Sequence, residues 1–122
     1  MKKVFFMLCA TLFLVACGGD NPKDIAKNFI ESAYNGKVEN MMKYLDVPDN
    51  QKETAKGKLS MMVLMTAEAT NKKGGISNIS IIDITENDEN ANVTLKITFK
   101  DKSEANENVR LYKKDKKWYV KM

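Results

Sequence analysis

The chain has 122 residues, 43% of them hydrophobic, and a formal net charge of +4. That supports one domain with a single modest core and is too little charge to imply nucleic acid as a partner. It contains no histidine, which removes the commonest general base and the commonest metal ligand, and no cofactor motif, so no cofactor is expected.

Lys2 and Lys3 open the chain, and residues 4–16 are free of charge. A membrane-spanning helix needs roughly 20 apolar residues. This run is shorter and ends in small residues, as a cleavable export signal does. Its last residues and the next, Leu14-Val15-Ala16-Cys17, resemble the lipobox of bacterial lipoproteins. The resemblance implies a signal peptide over residues 1–16 and a lipid on Cys17, which becomes the first mature residue. A single acyl chain anchors only marginally, and two or more make attachment stable. Gly18 follows the cysteine, whereas in enteric-type bacteria an Asp there favours retention in the inner membrane. The expected location is therefore the cell envelope, lipid-anchored, in the outer membrane if the host has one.

Removing the leader leaves 106 residues and a charge of +2. Cys9 leaves with the leader and Cys17 carries the lipid, so no disulfide can staple the domain. Residues 17–21 are a tether of at most about 14 Å, which keeps the domain of residues 22–122 close to the lipid surface.

Asn21-Pro22-Lys23-Asp24 reads as a helix start, with Asn as cap, Pro in the first position and an acid near the positive end of the dipole. Ile25, Phe29, Ile30 and Ala33 define its buried face, and Asn35-Gly36 ends it. A short second helix fits residues 37–45. Asn50 and Glu53 have capping-box spacing for a third. That helix runs to about Thr70, and Met61, Met62, Leu64 and Met65 make it apolar almost all round, which predicts burial on more than one side.

From Ile76 the period becomes alternating. In residues 76–85 the apolar phase switches between Ile81 and Ile82, which predicts a bulge or burial on both faces. Ala91, Val93, Leu95, Ile97 and Phe99 alternate cleanly with polar residues, the pattern of a strand with one wet face. Residues 100–105 read as a polar loop. Val109 and Leu111 mark a third strand, residues 113–117 a charged turn, and Trp118, Val120 and Met122 one side of a last strand.

Helices followed by an antiparallel meander predict an α+β domain, about three helices on a four-stranded sheet. The Tyr34-Asn35-Gly36-Lys37 turn, the ending Tyr44-Leu45 of helix 2, and the closing stretch from Val109 to Val120 resemble small exported lipoproteins of the NTF2-like (cystatin-like) family. That family is of unknown function, and some members are labelled lumazine-binding-like. The resemblance implies a cone between sheet and helices, sealed by Trp118. Here the final turn has Asp115-Lys116-Lys117, where many relatives place Gly before the Trp.

Three chemistries are open to these residues. A cone can hold a small apolar ligand. Relatives of this fold that are isomerases or dehydratases imply a carboxylate and a tyrosine within it, and Tyr34, Tyr44, Asp83 and Tyr112 are of the right type. Met41, Met42, Met61, Met62 and Met65 are soft thioethers suited to Cu(I), but the domain has no His or Cys beside them, so core packing is expected and no metal site. Arg110, Lys113, Lys114, Lys116, Lys117 and Lys121, interleaved with aromatics, offer contact to an anionic polymer or headgroup. The expectation is a non-catalytic binding or accessory module at the membrane, for an envelope protein or a small apolar ligand. The alternatives are a small enzyme using the cone and a factor that binds anionic polymer.

Overall fold

The computed structural model describes residues 21–122. The leader, the lipobox-like stretch and Cys17 lie outside the described residues. Helix α1 (Pro22–Tyr34) starts as its sequence dictates. Asn21 is extended, its side-chain oxygen accepts from the Asp24 N–H at 2.8 Å, and Pro22 takes the first turn. Ile25, Ala26, Phe29 and Ile30 are buried and face the sheet, which α1 touches along all four strands. Gly36 reverses the chain with φ of 73°, and a side chain there would stand 3.2 Å from Ala67 Cβ.

Helix α2 (Val38–Met42) is shorter than the periodicity predicts. The N–H groups of Lys43, Tyr44 and Leu45 bond carbonyls three residues back, so the helix tightens and ends before Leu45. A 3-10 turn (Asp49–Gln51) leads into α3 (Lys52–Lys72), and no side chain caps either start. The Asn50 capping box is therefore not formed.

The burial on more than one side expected of α3 is not what is found. Leu59, Val63 and Thr70 are buried, while Met61 is 80% and Met65 78% exposed, with Met62 and Leu64 also exposed. The helix leans on α1 and α2 along a single stripe, and no other described element packs over its outer side. With Met41 buried, the five methionines form no single cluster.

The four strands are β1 (Ile76–Glu86), β2 (Asn90–Phe99), β3 (Glu104–Lys114) and β4 (Lys117–Lys121). They form one antiparallel sheet in chain order. The predicted bulge in β1 is a register shift between Ile81 and Asp83. The loop expected over residues 100–105 is shorter: Asp101 Oδ1 accepts from the Ser103 N–H at 2.9 Å and Lys102 adopts φ of 75°, so Glu104 already pairs with Thr98. The last hairpin closes through Asp115 (φ 52°) and Lys116 (φ 69°). This is a two-residue turn with both central residues left-handed, whose twist matches that of the strands.

Val93, Leu95 and Ile97 are fully buried, Leu111 and Phe99 nearly so, and Trp118 is 6% exposed at the hairpin end. The centre of the cone is thus filled by side chains. The free edge of β4 is covered where the Val120 N–H donates to the Tyr44 carbonyl at 2.8 Å, which blunts an otherwise open edge.

Candidate functional site

α3 packs mainly against the other helices, and space remains between its first half and β4. The gap is a groove of about 390 Å³, walled by Ala55, Leu59 and Met62 of α3, by Leu45 and Val47 of the segment after α2, by Val120 of β4 and by Met122 just after it. Met62 and Met122, 59% and 64% exposed, form its lips. Methionine suits such a surface, since the unbranched thioether adapts to the shape it meets.

The polar rim consists of Lys58, Asp46, Tyr112 and Lys121. Asp46 is held by Lys114 at 2.6 Å, and that hydrogen bond, followed by the charge attraction, raises the Lys114 ammonium above its ordinary value. Burial, and then the Asp46 charge, raises the Tyr112 hydroxyl as well. A neutral phenol at the rim can donate a hydrogen bond but is not a base at neutral pH.

The four residues proposed for a pocket are dispersed. Tyr112 lines the groove. Tyr44 is half-buried beside β4 and contributes its carbonyl to that edge. Tyr34 is buried at the other end of α1, donates to Glu107 and stacks on Phe99 with ring centroids 5.8 Å apart. Asp83 is exposed on the edge strand β1, in register with Thr94, and does not line the groove.

The basic residues are also divided. In β3 and β4, Val109, Leu111, Trp118 and Val120 face the helices, so Arg110, Lys114, Lys117 and Lys121 share the opposite, solvent side. Lys113 falls on the helix side with its ammonium 5.3 Å over the Trp118 ring, and Lys116 sits in the turn. Leu45, Val47 and Met122 were not legible as groove residues. Each looks like ordinary core apolar periodicity, and only the tilt of α3 leaves them facing space. Among the described residues no helix is long and apolar enough to cross a membrane, and no group of three His, Cys, Asp or Glu is placed to hold a metal.

A hydroxyl with charged neighbours occurs at Ser103. Its Oγ donates to Asp101 at 2.5 Å and accepts from Lys73 Nζ at 3.3 Å. The group lies in the β2–β3 turn, away from the groove.

No curated protein matches this chain. Among solved structures, a Campylobacter jejuni protein described as "Putative NTF2-like transpeptidase" superposes with a TM-score of 0.75 at 33% identity, over 82% of this chain and 96% of that one. Both consist of helices on one face of an open antiparallel sheet, the NTF2-like arrangement. The model of the family described as "Domain of unknown function (DUF4878)" matches residues 15–121, and the chain therefore belongs to that family, with an NTF2-like fold.

Proposed function

We propose that this protein is a lipid-anchored module of the cell envelope that binds an apolar ligand, or an apolar segment of an envelope partner, in the groove between α3 and β4. The groove itself carries the reading: its wall is mainly apolar with a polar rim, it is open at the surface, and its volume of about 390 Å³ falls in the range of small-molecule sites. Attachment through Cys17 is supported by the lipobox-like sequence Leu14-Val15-Ala16-Cys17.

The direct test uses the full chain in detergent and the neutral fluorescent probe N-phenyl-1-naphthylamine. Saturable fluorescence enhancement, lost when Ala55→Trp fills the groove, is the expected result. Enhancement that is absent, or unaffected by the substitution, refutes the groove as the site. For the anchor, mass spectrometry should find a diacylated Cys17 at the amino terminus, and Cys17→Ser should release the protein from the membrane fraction.

A second reading follows from the neighbour's description as a transpeptidase. Acyl transfer would use Ser103 Oγ to attack a peptide carbonyl, forming an ester while the departing amine takes the hydroxyl proton. Lys73 stands at Ser103 as a hydrogen-bond donor, the wrong role for a general base. A covalent adduct on incubation with peptide amides, absent in Ser103→Ala, would favour this reading over the first.

A further inference from the structure

Three cross-strand pairs follow one another on the solvent side of the β3–β4 hairpin: Arg110 opposite Lys121, Tyr112 opposite Tyr119, and Lys114 opposite Lys117. The two tyrosine rings lie 5.9 Å apart between centroids. Lys114 is occupied by Asp46, but neither Arg110 nor Lys121 is in an ion pair among the described residues. Like charges placed directly opposite destabilise a sheet, so this pair weakens the free fold unless an anion lies across it.

The register continues the row. Thr85 of β1 and Asn92 of β2 are aligned with Arg110 and Lys121, and together with Asn87 and Asn90 they line a cleft of about 210 Å³. Two unpaired cations therefore sit among amides and a hydroxyl, beside an aromatic pair.

We propose that this face binds an acidic saccharide. The carboxylate or phosphate of one sugar engages Arg110 and Lys121, in a charge-assisted contact for which the planar guanidinium fork is suited. The amides of Asn90 and Asn92 meet its hydroxyls, and the next ring packs on Tyr119 and Tyr112. A flat anionic lipid surface would use the cations but match neither the exposed amides of Asn90 and Asn92 nor the tyrosine pair beside them, which is why the saccharide is the better fit. By strand alternation these side chains belong to the side of the sheet away from the helices, and Tyr112 and Lys121 also reach the rim of the groove, whereas Arg110, Asn90 and Asn92 belong to this cleft alone.

The test is a titration of the full chain in detergent with tri-galacturonate, against neutral galactotriose, inorganic phosphate and vesicles of phosphatidylglycerol. The acidic trisaccharide should bind saturably, at least tenfold more tightly than galactotriose or phosphate. Arg110→Gln with Lys121→Gln should weaken it at least tenfold, and Tyr119→Ala at least threefold. Lys121→Gln alone should raise the melting temperature of the free protein by about 2 °C, through relief of the like-charge pair. This also separates lost binding from lost folding. Equal binding of galactotriose or phosphate, or vesicle binding that depends on Arg110 and Lys121 without saccharide binding, would overturn the proposal. So would a lower melting temperature for Lys121→Gln.

Discussion

The hydroxyl of Tyr34, in the last turn of α1, donates to the Glu107 carboxylate in β3. Glu107 pairs in register with the fully buried Leu95, which puts its carboxylate on the helix side of the sheet. The tyrosine supplies the donor that a partly buried carboxylate requires and ties α1 to the third strand. Burial, and next the hydrogen bond to Glu107, raises the Tyr34 hydroxyl above its ordinary 10.0. Tyr34→Phe should cost about 1–2 kcal/mol in denaturant titration at pH 7. The folded state holds this proton more tightly than the unfolded chain, so the contribution is complete below pH 10 and lost as pH rises above it. The gap between parent and variant should therefore narrow above pH 10.

On α3, two apolar residues six positions apart should behave oppositely. Leu59 is 3% exposed, and Leu59→Ala should cost about 2–4 kcal/mol. Met65 is 78% exposed, and Met65→Lys should change stability by no more than about 0.5 kcal/mol. Thermal melts of the two variants check the pair. A large loss for Met65→Lys would mean that α3 is covered in solution.

The last hairpin has a lysine where its backbone favours glycine. Lys116 has φ of 69°, in the left-handed region that costs a non-glycine residue about 1–2 kcal/mol. Glycine relieves this but adds freedom to the unfolded chain, a smaller opposing effect. Lys116→Gly should stabilise by about 0.5–1 kcal/mol, read as a higher denaturant midpoint with unchanged slope.

Asp46 holds Lys114 at 2.6 Å on an exposed surface, so Asp46→Ala should leave stability nearly unchanged. It frees a cation in the row beside Tyr112 and Tyr119. Affinity for tri-galacturonate should therefore rise about two- to threefold, and fall more steeply with salt than in the parent. Isothermal titration at two ionic strengths measures both.

How much was legible depended on the range of the interaction. The α1 start needed only Asn21, Pro22 and Asp24, three residues within one turn. The wet and dry faces of β2 followed from strict alternation, and the β1 bulge from a break in phase at Ile81 and Ile82. The failures were of another kind. The apolar circumference of α3 could not say which stripe would find a partner. Glu107, in a stretch of polar residues, turned inward to Tyr34. Tyr34 and Tyr112, grouped by residue type, ended at opposite ends of the domain.

By itself the sequence determined the order of helices and strands, the turns between most of them, and the dry face of the sheet. Those features are set by neighbours within a few positions, through capping, dihedral preference and periodicity. Only the tertiary structure decided where α3 leans, and so where the groove opens. It also decided which cations share a side of the hairpin, because strand register is set between segments. A shift of one residue would have exchanged Arg110 for Val109 and moved every charge to the other face.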